Sequence, residues 1–298
     1  MARDSEQSSF VCACIQFDVR RGDVEHNRST AIAGLRKAAE AGARFAVLPE
    51  LWTTSFTQEI DDAMLTASLA AEQALVELSR ELGMVIVGGG VEREKSCLYN
   101  RALVIDNGRI LGNYRKVHLF SVNGEQRVMT HGQEPLVVDT SLGRVGVLIC
   151  YDMRFPELVR HYFYEGVQIL AVTAQWPEAR ATHWRTLTRA RAIENEMFVV
   201  GCNRTGNETS LKNEEQVVFP GDSRIVDPMG EPLATGTGED EPVLGTIEIR
   251  KVKAMRRILP LMKDSRPKVY RAIWQQAWES RATPRRAGHG SAARPDQT

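Results

Sequence analysis

"VGVLICYDMRFPE", residues 145–157, carries five residues of nearly pure hydrophobe into Cys150 and then turns abruptly polar. A short apolar run bounded by a turn reads as a buried strand, and Pro156 stands where a helix opens. The segment is a strand–turn–helix unit with a thiol at the turn. Two roles fit such a thiol. Free cysteine is among the most buried residue types and packs as a small core side chain. On the rim of a sheet, close to a helix N-terminus, it sits instead where a thiolate is favoured.

On either side the chain alternates between strand and helix. "FVCACIQF" (10–17), "RFAVLPE" (44–50) and "MVIVGGG" (84–90) read as strands, separated by helical patterns at about 23–41 and 63–82. In the second helix Leu69, Leu75, Leu78 and Leu82 fall near one stripe. Two strand-like runs then follow without room for a helix, 97–106 and 109–117, joined at Asn107-Gly108, a strong hairpin signal. Alternation resumes from 136, with helices at 156–165 and 182–195 and further strands near 223–227 and 243–249. Crossover helices and hairpins in one chain predict α/β architecture, two mixed sheets packed face to face with helices outside.

Composition narrows the function classes. Lys+Arg and Asp+Glu number 38 each, so zero net charge gives no global attraction to nucleic acid or an anionic membrane. The first ten residues lack the apolar core of a signal peptide, and no apolar run approaches a membrane span, so a cytoplasmic protein is the expectation. Five scattered cysteines do not form a disulfide framework. Cys12 and Cys14 share one face of a strand, but no second Cys pair completes a zinc shell; core packing is expected, and no metal. Cys97 and Cys202 read as packing as well. The expected boundaries are a short tail over 1–9, one domain over 10–260, an arm over 261–280 and a disordered tail over 281–298, whose small, polar and basic residues read as solvated.

Ligands of open α/β sheets gather beyond the carboxyl ends of the strands. Three strands here finish on chemically able residues, Glu50, Lys116 and Cys150. Apolar neighbours around the acid and the amine argue for partial burial, and buried charges need partners. An acid, an amine and a thiol on one rim form a plausible set for covalent catalysis. "LPELWTT" (48–54), "YRKVHLF" (114–120) and "GVLICYDMRFPEL" (146–158), in this order and spacing, resemble the three signature blocks of the nitrilase superfamily, the carbon–nitrogen hydrolases. The resemblance continues through "HWRTLTRARAIENEMFVVGCNR" (183–204) and "GDSRIVDPMGEPLA" (221–234) and spans roughly residues 10 to 270.

The resemblance implies a four-layer αββα sandwich, no cofactor, and a catalytic triad of Glu50, Lys116 and Cys150. A second glutamate follows the lysine block in many members, and Glu125 stands in that place. In that chemistry Lys116 and the backbone N–H of Tyr151 would hold an oxyanion, while Glu50 shuttles the proton. His118 and His183 read as structural beside such a set. Within the superfamily the strongest likeness is to the ω-amidase group, which hydrolyses the terminal amide of small dicarboxylate monoamides such as 2-oxoglutaramate. Trp176 and Trp52 are then expected to wall a pocket, and Arg154 or Arg180 to clamp a substrate carboxylate. "NRTGNETSLKNEEQVVFPGDS" (203–223) is longer and more acidic than that group's usual loop, which leaves the pocket entrance open. A deaminated-glutathione amidase, a carbamoylase, a nitrilase or a non-catalytic binding subunit are the alternatives. The expected partners are a small amide substrate and a second copy of the chain, with Tyr270, Trp274 and Trp278 anchoring a homodimer.

Overall fold

The computed structural model describes residues 9–282, so the tails expected at 1–9 and 281–298 lie, but for their innermost residues, outside the described residues. The first half of the chain runs β1 (Ser9–Ile15), α1 (Val24–Glu40), β2 (Ala43–Val47), α2 (Asp62–Leu82) and β3 (Val85–Gly88). Then come β4 (Val91–Glu94), β5 (Cys97–Asp106) and β6 (Arg109–Arg115). The second half runs β7 (Val137–Thr140), β8 (Gly143–Ile149), α3 (Pro156–Tyr164), β9 (Ile169–Ala174), α4 (Ala181–Asn195) and β10 (Phe198–Asn203). A hairpin of β11 (Thr205–Thr209) and β12 (Gln216–Pro220) follows. The unit closes with β13 (Arg224–Val226), β14 (Pro232–Thr235), β15 (Pro242–Glu248) and α5 (Arg250–Ile258).

These strands build two mixed sheets. One has the order β15-β1-β2-β3-β5-β4 with β6 also paired to β5; the other has the order β14-β13-β10-β9-β8-β7. Period-two alternation sorts their side chains into layers. Cys12, Cys14, Phe45, Val47, Val85, Val87, Ala102 and Val104 face Val145, Val147, Ile149, Ala171 and Val200 across the gap between the sheets. The intervening Ala13, Ile15, Ala46, Leu48, Ile86 and Leu103 turn outward onto Leu35 and Ala38 of α1 and Leu75 and Leu78 of α2. On the far side Gly146 leaves room for the ring of Tyr162 in α3, whose hydroxyl donates to Val147 O at 2.6 Å, and Gly201 lies against Trp184 of α4. Helix, sheet, sheet, helix is the four-layer αββα sandwich that the patterning and the resemblance implied.

Local signals explain the boundaries. Asp23 and Asp61 cap α1 and α2, accepting from His26 N and Met64 N, as N-cap carboxylates do. Asn107 (φ 48°) and Gly108 (φ 70°) both lie in the left-handed region, the conformation of a type I′ turn, and close the β5–β6 hairpin. The helical stripe needs a correction: Leu69 is 43% exposed, and α2 buries Leu65, Ser68, Ala71 and Glu72 instead. Glu72 can lie inside because Arg101 of β5 pairs with it and Gly90 N–H donates to it at 2.8 Å.

Residues from Leu259 form a separate unit, with α6 (Leu261–Asp264) and α7 (Pro267–Ala282). Along α7 the four-residue spacing of Tyr270, Trp274 and Trp278 makes one stripe, exposed at 42%, 53% and 69%. Among the described residues no helix is long and apolar enough to cross a membrane.

Candidate active site

Topology brings three strand ends together. β5 runs against β3 and β6 against β5, so β2 and β6 point the same way and end on one rim. Glu50 lies three residues past β2, and its N–H reaches Ala174 O at the end of β9, in the opposite sheet, at 3.4 Å. Lys116 directly follows β6, and its N–H donates to Asn100 O of β5 at 2.8 Å. Cys150 directly follows β8 and opens a tight 3-10 turn, Cys150–Arg154. Its φ of 45° is left-handed, which strains a residue bearing a side chain by about 1–3 kcal/mol. The turn leaves Cys150 lining the pocket.

The ammonium of Lys116 sits between two carboxylates. Nζ lies 2.6 Å from Glu50 Oε1, and 3.1 and 2.9 Å from Glu125 Oε1 and Oε2. All three residues are at most 5% exposed. Glu125 accepts further from Phe120 N–H at 2.6 Å, and Glu50 from Gln175 N–H at 3.2 Å. Burial raises the pKa of Glu50; Lys116 opposes that shift and Glu125 adds to it. Burial works against the charge on Lys116, but Glu125, Glu50 and Cys150 outweigh it, so the ammonium is held. For Cys150 the expected thiolate needs a correction. Packing around the thiol and the nearby Glu50 push its pKa well up, against the pull of Lys116. The site thus sets a thiol whose burial disfavours its charged form beside the buried carboxyl of Glu50, whose pKa burial also raises.

Asp152 locks the turn at Cys150 to the strand end that carries Lys116. Fully buried, it accepts from Tyr114 Oη at 2.7 Å, Ile149 N at 3.1 Å and His118 N at 2.9 Å, and its Oδ1 lies 2.9 Å from His118 Nδ1. The His118 ring stacks on Phe155 at 3.6 Å, and His183 Nδ1 lies 3.2 Å from an Arg154 nitrogen; both histidines serve neighbouring side chains.

The pocket in front of Cys150 measures about 530 Å³. Glu50, Lys116, Glu125, Tyr151, Arg154, Trp176 and Arg180 line it, as the sequence led one to expect. Trp52 does not. It is fully buried in the core between the first sheet and α1 and α2, and Leu51 takes its place on the pocket wall. The reason is Leu51's left-handed φ of 44°, which turns the chain after Glu50 and sends the next side chain inward. Trp176 stands with its indole N–H on Arg180 O at 2.8 Å and the Arg154 guanidinium 4.6 Å over its ring. Among the described residues neither Arg154 nor Arg180 has a carboxylate partner. Burial, and the neighbouring charge of Arg180, lower the pKa of Arg154.

The stretch read as a long acidic loop is the β11–β12 hairpin, and Glu208, Leu211, Lys212, Glu215, Val217 and Phe219 form the outer wall of the pocket. Its base is tied down by Arg204, 1% exposed, which reaches Asp18 and Glu208 at 2.9 Å each; Arg21 reaches Glu208 at 2.6 Å. Gly206, at φ 90°, passes so close to Asp18 that a Cβ there would meet Oδ1 at 2.0 Å. Sequence reasoning also passed over Gln175 and Asn100. Gln175 gives its side-chain amide to Glu50 O at 2.8 Å and takes the Cys150 thiol on its own backbone O at 3.8 Å. Asn100 has its Nδ2 on Glu50 Oε1 at 2.8 Å and Glu125 Oε1 at 2.9 Å. The signal for Asn100 was available: it is a polar residue on the same strand face as Ala102 and Val104.

The family model for carbon–nitrogen hydrolases matches residues 12–257. A 2-oxoglutaramate amidase of Bacillus subtilis is 35% identical over 264 residues, covering 88% of this chain and 99% of the relative. A chloroplastic omega-amidase of Arabidopsis thaliana is 31% identical over 280 residues, covering 87% of this chain and 73% of the relative. Among solved structures, a CN-hydrolase superfamily protein of Xanthomonas campestris superposes with a TM-score of 0.74 at 28% identity, over 87% of this chain and 97% of that one.

Proposed function

The chain belongs to the carbon–nitrogen hydrolase family, and from that premise we propose that it is an ω-amidase whose catalytic residues are Glu50, Lys116 and Cys150. The observation that carries the reading is the buried Glu50–Lys116–Glu125 cluster beside a strained, pocket-facing cysteine. Glu50 takes the thiol proton as Sγ attacks the amide carbon. The oxyanion is met by the Lys116 ammonium and the N–H of Tyr151. Collapse of the tetrahedral adduct breaks the C–N bond; the leaving nitrogen takes the proton from Glu50 and departs as ammonia, leaving a thioester. Glu50, basic again, removes a proton from water as its oxygen attacks the thioester. The acid leaves, and the proton returns to Cys150. A raised Glu50 pKa suits a group that must give and take one proton twice. Glu125 holds the ammonium in place throughout.

The substrate reading rests on two guanidiniums that, among the described residues, have no carboxylate partner. Arg154 and Arg180 offer a carboxylate a charge-assisted site at the pocket's far side, with Trp176 walling the chain between. An ω-amide of a four- or five-carbon acid brings a neutral amide to the thiol and its carboxylate to that site. Succinamate and 2-oxoglutaramate are expected to release ammonia, and aliphatic and aromatic nitriles to react poorly. In Arg154→Gln, KM for the carboxylated amides is expected to rise about 10- to 100-fold, with little change for the same chain lacking the carboxylate. Faster turnover of nitriles, or indifference to the carboxylate, would overturn the substrate reading. The 530 Å³ volume, within the range of about 300–1,000 Å³ usual for small-molecule pockets, also has room for a longer amide such as deaminated glutathione, which belongs in the same panel.

For assembly, the exposed aromatic stripe of α7 supports a homodimer with the arm over 261–280 covered by a second copy. Sedimentation at micromolar concentration is expected to give a dimer for the wild type and a monomer for the Trp274→Ala, Trp278→Ala pair. A wild-type monomer would refute it.

A further inference from the structure

Two carboxylates share a single ammonium in this pocket, and they face one another across it. Glu50 Oε1 and Glu125 Oε1 both lie on Lys116 Nζ, at 2.6 and 3.1 Å, and Asn100 Nδ2 approaches the same two oxygens, at 2.8 and 2.9 Å. Ammonium and amide thus clamp the oxygen pair from two sides. Asn100 is 1% exposed, and its Oδ1 is buried without a hydrogen-bond partner. The amide is therefore spent wholly through its NH₂ end; turned over, it would aim oxygen at two carboxylates. Its own carbonyl also receives the backbone N–H of Lys116 at 2.8 Å. One β5 residue fixes the acid, its partner glutamate and the strand end that carries the lysine.

We infer that Asn100 is a positioning residue for the hydrolysis, holding Glu50 and Glu125 at a fixed separation through a neutral donor. Neutrality matters. A second cation at this site would bind Glu50 so firmly as a carboxylate that it could not take the thiol proton, whereas no donor would leave two like charges to repel. The groups facing Glu50 are Lys116 from the end of β6, Glu125 from its 3-10 turn and Cys150 from the turn after β8, with the neutral Gln175 beyond β9. Asn100 is the neutral donor among them that touches both acids.

The inference rests on the proposed amide hydrolysis with Glu50 as proton acceptor, and its test separates the role of Asn100 from the substrate reading. Asn100→Leu keeps the branched heavy-atom skeleton, though with bulkier methyl groups, and removes the donor; Asn100→Asp puts a third carboxyl in the cluster. Both should lower kcat about 10- to 100-fold, with KM moved less than about threefold. In both, the acid limb of the pH–kcat profile should move to higher pH, further for Asn100→Asp, because the carboxylate form of Glu50 has lost support. The pH profile of Cys150 alkylation by iodoacetamide, which needs no substrate, should shift its acid limb the same way. Unmoved acid limbs in the variants, or a loss lying wholly in KM, would overturn the positioning role. If wild-type protein released no ammonia from any amide while the alkylation limb still shifted, the substrate reading would fall and Asn100's role would stand.

Discussion

Cys150→Ala is expected to lose about 10⁵-fold or more in kcat while binding a carboxylated amide as tightly as the wild type. In the proposed mechanism the thiol forms the covalent intermediate, and a methyl group replaces it without changing the backbone demands of the strained turn. Cys150→Ser is expected to fail almost as completely. A hydroxyl is far harder to deprotonate than a thiol, and Glu50 is matched to a thiol whose own pKa the site already raises. Calorimetric titration of the alanine variant with succinamate, beside its ammonia assay, checks both halves. Residual turnover within tenfold of wild type would remove Cys150 from the mechanism.

Lys116→Met is expected to damage both turnover and the fold, and the second effect should depend on pH. In the proposed role of Lys116 as oxyanion donor, its loss is expected to cost about 10²–10³ in kcat, with little change in KM. As the partner of two buried carboxylates, its removal leaves them facing each other at a cost of about 3–5 kcal/mol. The sign of the pH effect follows from linkage. In the wild type the raised pKa of Lys116 gives stability that is present below its unfolded value of about 10.4 and is lost only as pH climbs through the folded one. In the variant Glu50, whose pKa burial already raises, loses the opposing pull of Lys116 and titrates further above its unfolded value of about 4.3. Its penalty is full above the folded pKa and fades as pH falls through it. The gap in melting temperature between variant and wild type should therefore be wider at pH 8 than at pH 5. An equal gap at both would show that the carboxylates are not paired through this lysine.

Much of this was legible in the chain because strand ends are legible. The apolar runs before Glu50, Lys116 and Cys150 mark where β2, β6 and β8 stop, and strands stop at a rim. The same alternation that put Cys12 and Cys14 on one face proved to aim them into the core between the sheets. Side-chain direction in the turns was not legible. Trp52 was expected on the pocket because it neighbours Glu50, but a left-handed residue between them reverses that inference, and no propensity marks Leu51 for such a φ. The β11–β12 hairpin was hidden for a different reason. Its strands, "TGNET" and "QVVFP", lack a clear apolar alternation, since Arg204 and its carboxylates rather than a hydrophobic face hold the base down. The thiol's pKa was misjudged because burial, the largest influence on it, is a property of the assembled pocket.

The proposed mechanism stands or falls on an acyl group passing through the sulfur of Cys150. Wild-type protein turning over 2-oxoglutaramate or succinamate, quenched in acid during steady state and mapped by peptide mass spectrometry, reads this directly. The expected result is the acid's acyl group on the peptide that contains Cys150, in thioester linkage that hydroxylamine cleaves. An acyl group on any other residue, or ammonia release undiminished in Cys150→Ala, would contradict it.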